Sequence, residues 1–266
     1  MYKEYFGFRI KPFSKTPDPR FLFMSSGHEE AIARLEFVIE EREIAVLTGE
    51  IGCGKTTISR TLMDRLGDAY RFCFVVNPRL NALEFLRSIA RLLEVKNPSV
   101  FKDELLEQIN GAVYENYQNG ICPVIVIDEA QMISDAEVFD EIRLLTNFQL
   151  DDRNLIGVVI MGQPELRDIL ALPRYEPLRQ RIALHYHLQP LSLEETMEYL
   201  DFRLEAAGGS SGLFTPDAVQ KIFELTGGVP RKINSMATNA LLVAYGYDAA
   251  LIDSSIIDEI KDELMM

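Results

Sequence analysis

Nine consecutive residues, Gly49-Glu50-Ile51-Gly52-Cys53-Gly54-Lys55-Thr56-Thr57, combine three glycines, a lysine and two hydroxyls. The spacing Gly49-x-x-x-x-Gly54-Lys55-Thr56 suits one chemistry, the cradling of a phosphate. Glycines let the backbone curl until several N–H groups face one anion. A helix that follows adds its positive N-terminal end. Lys55 can then reach the β- and γ-phosphates, and the Thr56 hydroxyl can ligate Mg²⁺. A second cluster is Asp128-Glu129, which closes the apolar run Val124-Ile125-Val126-Ile127. Asp128 is placed to hold Mg²⁺, directly or through water, and Glu129 to orient and deprotonate an attacking water. Taken separately, the first cluster also reads as a glycine turn and the second as a solvated acidic turn. Their occurrence together favours the chemistry.

These groups need a scaffold, and the hydrophobic pattern supplies one. Short apolar runs read as strands at Ile44 to Thr48, Arg71 to Val76, Pro123 to Ile127, Leu155 to Met161 and Leu184 to Leu188. Between them lie helical patterns at about 28–41, 58–66, 81–93, 101–118, 134–147, 164–170 and 174–182. Strands alternating with helices imply a parallel sheet covered on both faces. From Gln189-Pro190 onward the pattern is helical only, at about 192–206, 216–227, 230–245 and 254–264. The expected organisation is an α/β domain over 1–188 and a small all-α domain over 189–266. Residues 1–27 hold Phe6, Phe8, Phe13, Phe21 and Phe23 among prolines, too much apolar surface for a flexible tag. They are expected to lie across the α/β domain.

Composition narrows the function. The net charge is −14, and residues 189–266 alone hold thirteen acids against five bases. That charge weighs against passive binding to nucleic acid or anionic lipid. Met1-Tyr2-Lys3-Glu4-Tyr5 is polar and leads into no signal-peptide core, and no apolar run approaches a membrane span. The three cysteines are widely spaced: Cys73 and Cys122 sit in strand-like runs, which suits buried free thiols, Cys53 is a small side chain tolerated in the glycine loop, and all three suit a reducing cytoplasm. His28, His185 and His187 have no metal-ligand spacing with them.

Beyond its two clusters the chain resembles the additional-strand AAA+ ATPases, and among them the ATPase domain of the general secretion pathway protein A (ExeA) family. The segments that carry the likeness run in order along nearly the whole chain. They are Tyr5-Phe6-Gly7-Phe8, Pro12-Phe13, Pro17-Asp18-Pro19, His28-Glu29-Glu30-Ala31 and Ile127-Asp128-Glu129-Ala130-Gln131. Gly162-Gln163-Pro164-Glu165-Leu166, Leu178-Arg179-Gln180-Arg181-Ile182 and Gly228-Val229-Pro230-Arg231-Lys232-Ile233-Asn234 complete the set. The resemblance implies a P-loop NTPase fold of the AAA+ type, with a central parallel five-stranded sheet and a helical lid. It implies ATP and Mg²⁺ as cofactors, bound along Gly49 to Thr57 with Thr56 and Asp128 at the metal.

The resemblance also implies individual roles. Gln163 matches sensor 1, which feels the γ-phosphate; many relatives carry Asn or Thr there. Arg179 and Arg181 lie where the family places its arginine finger, aimed at a neighbouring subunit, and Arg231 matches the lid arginine, sensor 2. Asn77 is placed either to restrain the catalytic glutamate or to cap a strand end. The implied activity is ATP hydrolysis coupled to assembly or remodelling of a cytoplasmic complex. The implied partners are further copies of the chain, in a ring or filament, and an envelope or secretion-system protein. Longer family members continue into a membrane helix and a peptidoglycan-binding domain. This sequence ends at Met266 with neither, so a stand-alone motor or switch is expected. The alternative is an ATP-switched DNA-binding regulator resembling transposition ATPases, with Arg79, Arg87, Arg91, Lys96 and Lys102 as candidate contacts. The acidity counts against it. A scaffold that binds ATP without turnover is disfavoured by the intact Lys55, Thr56, Asp128 and Glu129.

Overall fold

Apolar runs without polar alternation need cover on both faces, and that is how the strands are used. In the computed structural model, which describes residues 2–14, 21–150 and 153–264, strand β1 is Ile44–Gly49, β2 Tyr70–Val75 and β3 Cys122–Ile127. Strands β4 (Gln149–Leu150) and β5 (Arg153–Asn154) form a small antiparallel pair, β6 is Gly157–Gly162 and β7 is Ile182–Leu188. The main sheet is five-stranded and parallel, in the order β2-β3-β6-β1-β7. Every residue of β1, β3 and β6 is buried. The edge strand β7 keeps exposed positions.

The strand order fixes where the chemistry falls. Strand β6 lies between β1 and β3, with Thr48 opposite Gly162 and Ile127 opposite Ile160. The chain therefore leaves β1, β3 and β6 at one edge of the sheet, leading on to residues 50, 128 and 163. Parallel sheets bind ligands at this carboxyl edge.

By internal contacts the described chain forms an α/β unit, 28–49 with 55–188, and a helical unit drawn from 1–27, 50–54 and 189–266. In the α/β unit, helices Ala82–Leu92, Lys102–Gln118 and Ala136–Leu145 bury Phe85, Leu86, Ile89, Leu105, Ile109, Phe139 and Ile142 against the sheet. Each such side chain stabilises the fold by about 1.5–3 kcal/mol. Asn81 caps the first of these helices in a capping box with Glu84. The Asp135 carboxylate accepts from Glu137 N at 3.0 Å and from Ala82 N at 3.0 Å, so one side chain serves two helix starts.

The helical unit holds Leu193–Ala206, Pro216–Thr226, Pro230–Gly246 and Ser254–Leu264. Ser192 opens the first through a capping box with Glu195. Thr215 precedes Pro216 without a side-chain cap bond; its hydroxyl donates to Ile252 O at 3.1 Å. The opening segment corrects the sequence reading. It was expected on the α/β domain, yet Phe8, Phe13 and Phe21 are buried in the core of the helical unit, beside Leu200, Leu204 and Ile233. A buried arginine supplies part of the reason. Arg203 donates to Pro12 O at 2.7 Å, Ser14 O at 3.1 Å and Phe21 O at 3.5 Å, and its guanidinium stands 4.4 Å from the centre of the Phe21 ring. Carbonyls of an irregular segment satisfy a charge that burial would otherwise penalise. Of the opening motif, Pro17-Asp18-Pro19 lies outside the described residues.

One other expectation differs. The helix expected over 174–182 is a 3-10 turn at Pro173–Tyr175 and a short helix at Glu176–Arg179, after which β7 begins at Ile182. Pairing with β1 claims Ile182 as a strand residue opposite Ile44, overriding the local helical pattern. The β4–β5 pair lacks the alternating apolar run that marks a strand in sequence, and no element is expected there from the sequence.

The cysteines are free and buried, as expected of Cys73 and Cys122. Burial pushes the Cys73 thiol up to about 12, with the Arg71 charge opposing it. His187 Nδ1 lies 3.0 Å from Thr48 Oγ1, an ordinary cross-strand contact between β1 and β7. No helix among the described residues is long and apolar enough to cross a membrane.

Candidate functional site

The loop after β1 has the backbone that its glycines permit. Gly52 has φ +90° and Gly54 φ +104°, left-handed values that side chains resist. Cys53 N donates to Glu50 O at 3.3 Å and closes a turn. The Cys53 side chain is buried and Ile51 is exposed. Within the helical unit the loop also meets Arg231: a Cβ on Gly52 would stand 2.4 Å from the Arg231 Cβ. Arg231 itself is exposed in the first turn of the helix that Pro230 opens.

Lys55 begins the helix Lys55–Leu66. It is buried, and its ammonium donates to Gly49 O at 2.6 Å. A buried ammonium held by a carbonyl is a charge kept ready for an anion. Thr56 follows with its side chain exposed, and Thr57 is half-buried.

At the end of β3, Asp128 N donates to Val75 O at 3.1 Å, extending the sheet by one residue. Burial pushes the Asp128 carboxyl above its ordinary value; the Glu129 N–H counters this, the Glu129 charge adds to it and the Lys55 charge opposes it. Glu129 is left-handed, at φ 52° and ψ 39°. Arg42, Glu94 and Asp248 share a positive φ but sit just past helix ends, where such caps are routine. Glu129 instead leaves a buried strand, and a non-glycine residue there costs about 1–3 kcal/mol unless its surroundings enforce it. They do: Glu129 N donates to Asp128 Oδ1 at 2.9 Å, and the Glu129 Oε2 accepts from Gln131 Nε2 at 2.6 Å and Gln163 Nε2 at 3.0 Å.

The structure therefore brings Gln163 to Glu129, on neighbouring strand ends. Gln131 joins them, and sequence reasoning gave it no role although it stands in the quoted motif Ile127 to Gln131. Asn77 does what a strand-end cap does, its Oδ1 accepting from Arg79 N at 3.4 Å. The two finger candidates are engaged within their own chain. Arg179 pairs with Glu176 and donates to Ala171 O at 3.0 Å. Arg181 donates to Asn147 Oδ1 at 2.5 Å and Thr146 Oγ1 at 3.0 Å.

The donors fit a magnesium nucleotide. The Thr56 hydroxyl and the Asp128 carboxylate are hard oxygen ligands, and Lys55 and the loop amides are suited to phosphate oxygens.

Fold and site together define a P-loop NTPase of the AAA+ type. A family described as AAA domain matches residues 39–170, and the chain belongs to that AAA+ family, related within it to general secretion pathway protein A. To that protein of Aeromonas hydrophila it is 38% identical over 247 residues, 92% of this chain and 45% of the relative. The chain thus spans less than half the length of this curated relative. Among solved structures, the Aeropyrum pernix ORC2 protein, in ADPNP–ADP complexes, matches with a TM-score of 0.68 at 18% identity, covering 96% of this chain and 72% of that one. The Aeropyrum pernix ORC1 protein in complex with DNA matches with a TM-score of 0.68 at 20% identity, covering 97% of this chain and 70% of that one. At such identities the likeness is one of fold.

Proposed function

We propose that this chain binds and hydrolyses Mg-ATP and uses the cycle to assemble or remodel a cytoplasmic complex. The observation that carries this reading is the buried Lys55 ammonium on Gly49 O, in the same unit as an Asp128-Glu129 pair whose glutamate is held by Gln163. The loop and Lys55 hold the phosphates, Thr56 and Asp128 hold the metal, and the metal, when bound, neutralises charge on the phosphates. Glu129 accepts a proton from the attacking water. Gln163 and Arg231 report on the γ-phosphate, and Arg179 or Arg181 acts on a neighbouring copy after leaving its contacts in its own chain. A nucleotide-bound relative of the same fold, and the kinship with a secretion-pathway protein, support the reading. A homo-oligomer and an envelope-system protein are the proposed partners.

A second reading, ATP-switched DNA binding, has one support: a protein of this fold was captured with DNA. The candidate basic stretch weakens it. Arg87 is half-buried with its Nε donating to Ser99 O at 3.2 Å, and Lys102, though exposed, is paired with Glu141 at 2.5 Å; Arg79, Arg91 and Lys96 are the other exposed bases of the stretch. Fluorescence anisotropy of labelled duplex DNA with ATP-loaded Glu129→Gln protein separates the two. Flat anisotropy at low and physiological salt is the expected result. ATP-dependent binding with a steep salt slope would establish the DNA reading instead.

A further inference from the structure

The Gln131 side chain uses both ends of its amide. Oε1 accepts from the Gln163 backbone N–H at 3.1 Å, and Nε2 donates to Glu129 Oε2 at 2.6 Å. The orientation is fixed by chemistry: a backbone N–H only donates, so the oxygen must face it and the NH₂ must face the carboxylate. The Gln163 side chain donates to that same Oε2 at 3.0 Å, closing a ring of three residues. Two further features bring Gln131 this close. The left-handed Glu129 turns the chain back into the 3-10 turn Ala130–Met132. Gly162 leaves room, since a Cβ there would stand 2.8 Å from Gln131 Oε1.

We propose that Gln131 is a positioning residue for ATP hydrolysis, a bracket that ties the end of β6 to the carboxylate at the end of β3. The inference rests on the ATPase reading above. Because its two hydrogen bonds share one planar amide, a shift of the Gln163 backbone moves the Glu129 carboxylate with it. Gln163 thereby acts on Glu129 by two routes, its own side chain and the Gln131 amide. Occupancy at the γ-phosphate, felt by Gln163, is passed to the base that handles the water. A glutamine that only satisfies a loop would affect stability and leave the chemical step alone.

The test is steady-state and binding kinetics on Gln131→Met, which keeps length and volume and loses both hydrogen bonds. Misplacing a catalytic group by an ångström costs about 100-fold in rate, so kcat is expected to fall about 10–100-fold. The ATP dissociation constant should stay within about twofold, since the hydrogen bonds of Gln131 go to Glu129 and to the Gln163 backbone and not to Lys55 or the glycine loop. In a Glu129→Gln background the same change should lower the residual rate by less than about twofold, because its effect runs through Glu129. Gln131→Glu keeps an oxygen toward Gln163 N and sets a second carboxylate against Glu129, so it should lose rate at least as strongly. Normal kcat in folded Gln131→Met would overturn the proposal. So would a full additional loss in the Glu129→Gln background. A wild-type protein without turnover would instead overturn the ATPase reading itself.

Discussion

Lys55→Ala loses nucleotide binding. The wild-type ammonium is buried and already desolvated, fixed on Gly49 O at 2.6 Å. A nucleotide therefore meets a charge whose burial the fold has already accomplished, and little reorganisation remains. Truncating one partner of a buried, hydrogen-bonded charge pair costs about 2–5 kcal/mol, which is about 30-fold to several thousand-fold in affinity. The expected result in a fluorescent-ATP titration is a dissociation constant weakened by at least about 30-fold, with turnover lost in parallel. The substitution leaves no unpaired charge behind, so the circular dichroism spectrum and melting temperature should stay close to wild type. Unchanged affinity in Lys55→Ala would separate the loop from nucleotide binding.

Glu129→Gln has the opposite signature: ATP stays bound and is not cleaved. Glutamine keeps the length of the side chain and an oxygen that can accept from Gln131 and Gln163. What it loses is the capacity to take a proton from water. General-base assistance is worth about 10²–10⁴ in rate, and kcat should fall by that factor while ATP affinity changes by less than about threefold. The ATP-bound, assembled state should then accumulate, visible as a larger species in sedimentation with ATP than with ADP. Unchanged turnover in Glu129→Gln would remove this residue from the catalytic step.

The two clusters that carry these predictions were legible in the sequence because their information is local. Glycine spacing, a following lysine and hydroxyl, and an apolar run ending in two acids each state their chemistry within nine residues or fewer. The parallel sheet was legible for a similar reason, since buried strands read as unbroken apolar runs. What escaped depends on distant partners. Gln131 acquires its place from the backbone N–H of Gln163, a residue 32 positions away, and from a left-handed turn at a glutamate. No local pattern announces either. The opening aromatics show the same limit: composition requires that Phe8, Phe13 and Phe21 be buried, and only the buried Arg203 and the helical core show where. At Ile182 the competing tertiary demand won outright, a helical pattern giving way to pairing with Ile44.

The most direct test of the central claim is phosphate release by the wild-type protein supplied with ATP and Mg²⁺, measured across protein concentration and repeated with EDTA. A magnesium-dependent rate, saturable in ATP and rising per molecule as the protein becomes concentrated, is the expected result; the rise would come from an arginine supplied by a neighbouring copy. Phosphate release no faster than that of Lys55→Ala at every concentration, from protein shown to hold ATP, would contradict the account.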